Sequence, residues 1–147
     1  MTTFHSTRST TDSLTSKQAI RQGIAADGGL FVTDALGETR VDVAALVGKS
    51  YQDIAVTVLD ALLPDFSEAE LRECVEAAYG PQWGDGAITP LKPLGEDWVL
   101  ELFHGPTFAF KDYGAGFMGR MVGLLGGAGE KLVILTATSG DTGSAVA

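Results

Sequence analysis

The sequence predicts an α/β protein, with a mostly helical N-terminal segment followed by the start of a parallel-sheet domain. Three observations carry this expectation. From Val41 to Tyr79 apolar residues recur at helical spacing. A second helical run starts at Asp112, with Phe117, Met121, Val122, Leu124 and Leu125 at suitable intervals. Finally, Leu132 to Leu135 is a continuous apolar run bounded by Gly129 and Gly140, which suits a strand buried on both faces of a parallel sheet.

Composition bounds the function. At 147 residues, 45% hydrophobic and 20% charged, the chain is in the globular range and can bury one domain's core. Nineteen acids against ten bases give a formal charge of −9, which argues against a nucleic-acid or anionic-membrane partner. The single cysteine, Cys74, excludes an internal disulfide and a cysteine-based metal site, and it suits a reducing cytoplasm. The N-terminus lacks the apolar core of a signal peptide, and no apolar stretch approaches a membrane span.

Taken in order, Met1 to Ser16 is rich in Ser and Thr and reads as a short strand or an arm. Thr15 or Ser16 caps a short helix through Ala19 and Ile20, closed by Gly23. Ala26 to Val32 is a turn into a strand, in which Gly28 and Gly29 supply the turn. Asp42 caps a helix through Leu46, and Gly48 ends it. Ser50 with Asp53 opens the next, with Ile54, Val58, Ala61 and Leu62 on one face until Pro64 stops it. Ser67 and Glu70 match a capping box for a third helix, through Leu71, Cys74, Val75 and Ala78, which Gly80-Pro81 terminates.

Gln82 to Gly86 is the expected boundary, dividing an accessory domain (1–82) from a second domain (83–147). Thr89 to Leu91 and Trp98 to Phe103 read as two strands joined through Gly95. Lys92 reads as a surface lysine rather than a phosphate ligand. His104 is either a proton shuttle or the residue that holds the Gly105-Pro106 turn by a hydrogen bond.

Chemistry concentrates after that turn. Lys111 falls at or next to a helix N-terminus, where the dipole and unpaired N–H groups disfavour a second positive charge. Phe108, Phe110 and Tyr113 push the same way if packed around it. A neutral, oriented amine is what Schiff-base chemistry with an aldehyde needs, whereas a surface lysine paired with Asp112 has no such role. Further on, Thr136, Thr138, Ser139, Asp141 and Thr142 alternate with Gly140 and Gly143 before a helix that begins around Ala145. Such a strand, turn and helix either offers backbone N–H groups to an anion or is simply a capped helix start.

The stretch ELFHGPTFAFKD, followed by ILTATSGDTGSAVA, resembles threonine synthases, which are pyridoxal-phosphate (PLP) enzymes of the tryptophan-synthase β-subunit type, fold type II. Weaker similarity lies in Phe4-His5-Ser6-Thr7-Arg8 and in Asp27-Gly28-Gly29-Leu30-Phe31. His5 and Arg8 there read as structural. The resemblance implies the N-terminal portion of such an enzyme, a helical segment and then the start of a three-layer parallel-sheet domain. It implies that Lys111 is the catalytic residue and holds PLP as a Schiff base, with Phe110 and Asp141 completing the cofactor contacts, Asp141 at the ring hydroxyl. Thr138, Ser139, Gly140, Asp141, Thr142 and Gly143 would then hold the substrate carboxylate.

The implied reaction converts O-phospho-L-homoserine and water to L-threonine and phosphate. A family member is expected to be much longer, so the chain is expected to be a fragment, inactive alone. Phe108 stands where many members carry a smaller or aliphatic residue, which should alter packing more than chemistry. Asp141 rather than Asn is a variant the family uses. Alternatives of the same fold, such as a serine or threonine dehydratase, share the lysine and the glycine turn, and a non-catalytic module is the other reading.

Overall fold

A computed structural model describes residues 2–127, 129, 131 and 133–147, together with the backbone but not the side chain of Asp12. The chain packs as two compact units, Met1–Glu73 and Cys74–Ala147.

The first unit opens with β1 (Phe4–Ser6) and β2 (Ser9–Leu14), paired antiparallel, and β3 (Phe31–Val32) adds to the other edge of β1, giving the order β2-β1-β3. Between them lies helix α1 (Ser16–Gln22). Its start is a full capping box: the Thr15 hydroxyl accepts the Gln18 amide at 3.3 Å, and the Gln18 side-chain oxygen accepts the Thr15 amide at 2.9 Å. Gly23 closes it with φ 77°, as expected. The helix expected after Asp42 is a single 3₁₀ turn, Ala44–Leu46, with the Asp42 carboxylate accepting the Ala44 amide at 3.0 Å.

Helix α2 (Tyr51–Leu62) starts at a Ser50 cap whose hydroxyl accepts the Asp53 amide at 3.1 Å. Its buried residue is Val56, while Ile54, Val58, Ala61 and Leu62 of the expected stripe are half-buried. Helix α3 (Glu68–Ala78) starts at the predicted Ser67–Glu70 box, in which Glu70 accepts the Ser67 amide at 2.7 Å and Ser67 the Glu70 amide at 3.3 Å. Leu71, Cys74, Val75 and Ala78 form its buried stripe. The α1 and α3 starts are tied by Lys17, whose Nζ reaches Glu70 at 2.7 Å and lies over the Phe66 ring. Arg72 of α3 pairs with Asp53 on α2 and with Glu68 one turn back on its own helix.

In the second unit a 3₁₀ turn, Pro81–Trp83, follows α3. Strands β4 (Leu91–Leu94) and β5 (Asp97–Leu100) form an antiparallel hairpin. The two-residue turn at Gly95-Glu96 pairs Leu94 with Asp97, so the ladder ends at Leu91 and Leu100. Glu101 to Phe103, expected within the second strand, lies beyond it, because past Leu91 the partner strand reaches Pro90 and has no further amide to offer there. Lys92 is exposed on β4, as expected.

Helix α4 (Lys111–Leu125) packs on a short α5 (Asp141–Val146). Aromatic rings link the unit's core: Tyr113 meets Trp83 at 4.5 Å between centroids, and Phe117 stacks on Tyr79 at 6.3 Å. The strand expected at Leu132–Leu135 is not formed over Val133–Leu135; Leu132 lies outside the described residues. A strand is held by its ladder, and among the described residues nothing pairs with this run, leaving Leu135 91% exposed. Both described sheets are antiparallel.

Candidate active site

Lys111 is the first residue of α4, as the sequence predicts. Its Nζ lies 4.2 Å from the centre of the Phe110 ring. Among the described residues no carboxylate pairs with it. The aromatic enclosure expected around it is reduced to that one ring. Phe108 is 79% exposed, so the departure at this position alters packing little. Tyr113 turns to Trp83 and donates from its hydroxyl to the Ile88 carbonyl at 2.6 Å. Burial, and then the charge of Asp112, push that hydroxyl above its ordinary range, so it stays a donor.

Asp112 is not the ion-pair partner of Lys111. It is buried, and its carboxylate faces back into the preceding turn, accepting the Thr107 amide at 2.8 Å and the Thr107 hydroxyl at 2.5 Å. Gly105 closes the turn because a Cβ there would stand 2.7 Å from the Asp112 Cβ, inside contact distance. The Gly-Pro turn is therefore held by Asp112, not by His104. Among the described residues His104 bonds neither the turn nor Lys111: its Nε2 lies 2.8 Å from the Glu101 carboxylate and its ring stacks on Phe103. Sequence reasoning missed this role because Thr107 and Asp112 lie five residues apart, outside the three-residue spacing of the caps at Ser50 and Ser67.

The second motif folds on Thr138. Helix α5 begins at Asp141, earlier than the expected Ala145, with Gly140 as its cap residue at φ 154°. Thr138 Oγ1 accepts the Gly143 amide at 3.0 Å and the Gly140 amide at 3.3 Å, taking the place of a capping side chain. Among the described residues the first-turn amides of Asp141 and Thr142 have no partner. Thr138, Ser139, Gly140, Asp141 and Thr142 are exposed, and Gly143 is half-buried. No hydrogen bond or ion pair joins them to Lys111 among the described residues. The arrangement provides one accessible amine at a helix start and one hydroxyl-and-amide turn at another.

In the first unit the two weaker motifs meet. Ser6 donates to Asp27, Arg8 donates to the Asp27 carbonyl at 2.9 Å, and Thr7 and Leu30 exchange bonds at 2.8 and 3.1 Å. Arg8 is structural there, as expected.

Comparison with known structures gives the class: the N-terminal part of the mixed helix-and-sheet fold of threonine synthases. The PLP-bound threonine synthase from Brucella melitensis matches 99% of this chain and 32% of its own, with 35% identity and a TM-score of 0.88. The Escherichia coli threonine synthase matches 99% and 33%, with 34% identity and a TM-score of 0.81. In sequence, the threonine synthase of Pseudomonas aeruginosa is 40% identical over 146 residues, 97% of this chain and 31% of that protein. Residues 3–79 match the threonine synthase N terminus family, and the chain belongs to it. It spans about a third of the length of these relatives.

Proposed function

We propose that this chain is the N-terminal portion of a threonine synthase, and that Lys111 holds PLP as a Schiff base. The observation that carries this reading is the Lys111 amine at the head of α4 within GPTFAFKD, on the face of Phe110 and clear of any carboxylate among the described residues. The residues fit the cofactor: a reachable primary amine for its aldehyde, a ring beside that amine, and an acid, Asp141, for its ring hydroxyl. Bound PLP supplies the electron sink for breaking bonds at the substrate's α and β carbons.

The chain's own residues do the rest. Lys111 Nζ, once released, moves protons at those carbons, which requires it neutral at working pH. Thr138, Ser139, Gly140, Thr142 and Gly143 orient the substrate carboxylate through hydroxyls and the Asp141 and Thr142 amides. O-phospho-L-homoserine is the substrate, and water the second reactant, giving L-threonine and phosphate. The charge of −9 supports a small-molecule partner over nucleic acid or an anionic membrane. Among the described residues no helix is long and apolar enough to cross a membrane. With one buried cysteine, this supports a cytoplasmic protein. Residues 1–82 act as the accessory domain and 83–147 begin the catalytic one, a division supported by the family match ending at residue 79.

The test is a chimera in which this chain replaces the matching third of the Pseudomonas enzyme. It is expected to release phosphate from O-phospho-L-homoserine and form threonine, and borohydride is expected to fix PLP on Lys111; Lys111→Ala is expected to lose both. A chimera that folds and binds PLP elsewhere than Lys111 ends the reading, and one that deaminates serine or threonine instead selects the dehydratase alternative.

A further inference from the structure

We propose that Asp112 is the positioning residue for Lys111, an inference that rests on Lys111 holding the cofactor. Successive residues of an α-helix point about 100° apart, so fixing two neighbours fixes the direction of the third. In α4 the two residues after Lys111 are both anchored. Asp112 is 6% exposed and clasps Thr107 through both carboxylate oxygens, while its amide bonds the Ala109 carbonyl at 3.1 Å. Tyr113 is held at its hydroxyl by Ile88, at its ring by Trp83, and at its carbonyl by the Tyr79 hydroxyl at 2.8 Å. Lys111 is left with the remaining direction, outward over Phe110.

The clasp also sets where the helix starts. Asp112 closes the turn from Gly105 to Phe110 at two points, and the negative carboxylate suits the positive end of the helix. Without it, the turn and the first residue of α4 are free to shift, and the amine shifts with them. Small displacements of a reacting group cost roughly a hundredfold in rate.

The test follows Lys111 without relying on activity. In the isotope-labelled chain the Lys111 methylenes next to the amine should resonate upfield of those of exposed Lys92, because the amine they carry lies 4.2 Å from the centre of the Phe110 ring. Thr107→Val, which keeps the shape and deletes the hydroxyl, should remove most of that difference, and Thr107→Ser should restore it. In the chimera the same pair should slow borohydride trapping of PLP on Lys111 about tenfold and recover it. Circular dichroism and an unchanged Lys92 signal establish that the fold survives; should Asp112→Asn unfold, the Thr107 pair still decides. Wild-type shift and trapping in Thr107→Val overturn the proposal. An unaltered chimera with no label on Lys111 instead overturns the cofactor reading, and with it the role assigned to Asp112.

Discussion

Ser6 Oγ donates to Asp27 Oδ1 at 2.7 Å, joining residues twenty-one positions apart through a side chain that is 1% exposed. The same carboxylate oxygen accepts the Gly29 amide at 2.9 Å, and Ser6 Oγ accepts the Arg8 amide at 3.1 Å. The hydroxyl therefore serves as donor and acceptor at once, and Gly29 is packed so closely that a Cβ would overlap Ser6 Oγ. Gly29→Ala is expected to destabilise the first unit by about 1–3 kcal/mol, the cost of overpacking a filled site. Ser6→Ala should also lower the denaturation midpoint. Urea titrations of both variants check this, and an unchanged midpoint for Gly29→Ala would show that the two motifs do not pack as described.

Acid should weaken the same unit in a defined window. Glu70 is held at about 2 from an ordinary 4.5, chiefly by the Lys17 ammonium and then by the Ser67 amide and hydroxyl. At any pH above 4.5 the carboxyl is ionised in folded and unfolded chains alike, and its contribution is complete. Between 4.5 and 2 the unfolded chain takes up a proton that the folded chain refuses, so the contribution falls away. Asp27 and Asp53 are shifted the same way, Asp27 chiefly by Ser6 and Asp53 chiefly by Ser50. The stability gap between the parent chain and Glu70→Gln should be flat above 4.5 and close as the pH approaches 2. A gap that grows on acidification contradicts this sign.

Thr138 makes a local prediction. Its hydroxyl holds the first turn of α5, so Thr138→Val should free the Gly143 amide and cost that helix about 1 kcal/mol. Hydrogen exchange at Gly143 and Ser144 is the readout, since both amides bond within this turn. Thr138→Ser should exchange like the parent chain. Equal exchange in all three would mean that the cap is not made.

What was legible in the sequence follows the range of the interactions. The caps at Thr15, Ser50 and Ser67 were readable because donor and acceptor lie three residues apart and the chemistry is local. Lys111 at a helix start was readable from the Gly-Pro turn before it and the periodicity after it. The inward turn of Asp112 was not, because Asp112 beside a lysine reads first as an ion pair, and only the fold shows it pointing back at Thr107. The Ser6–Asp27 bond was hidden for a different reason: nothing local relates residues so far apart. Val133 to Leu135 misled because an apolar run specifies burial but not the strand it pairs with.

Phe108 supplies the last prediction. It has φ 59°, the one non-glycine residue with positive φ among the described residues, and it sits in the turn that leads to Lys111. The left-handed region costs an L side chain roughly 1–2 kcal/mol, and the exposed ring recovers little of that by burial. Glycine escapes the steric penalty but loses about 0.5–1 kcal/mol through its freer unfolded chain. Phe108→Gly should therefore leave the second unit more stable by about 0.5 kcal/mol or slightly more. Phe108→Ala keeps the Cβ and should gain nothing, and this separates backbone strain from loss of the ring. Thermal melts of the two variants decide the matter. Equal stabilisation by alanine and glycine would point to the exposed ring, and glycine above alanine to the backbone of the turn that carries Lys111.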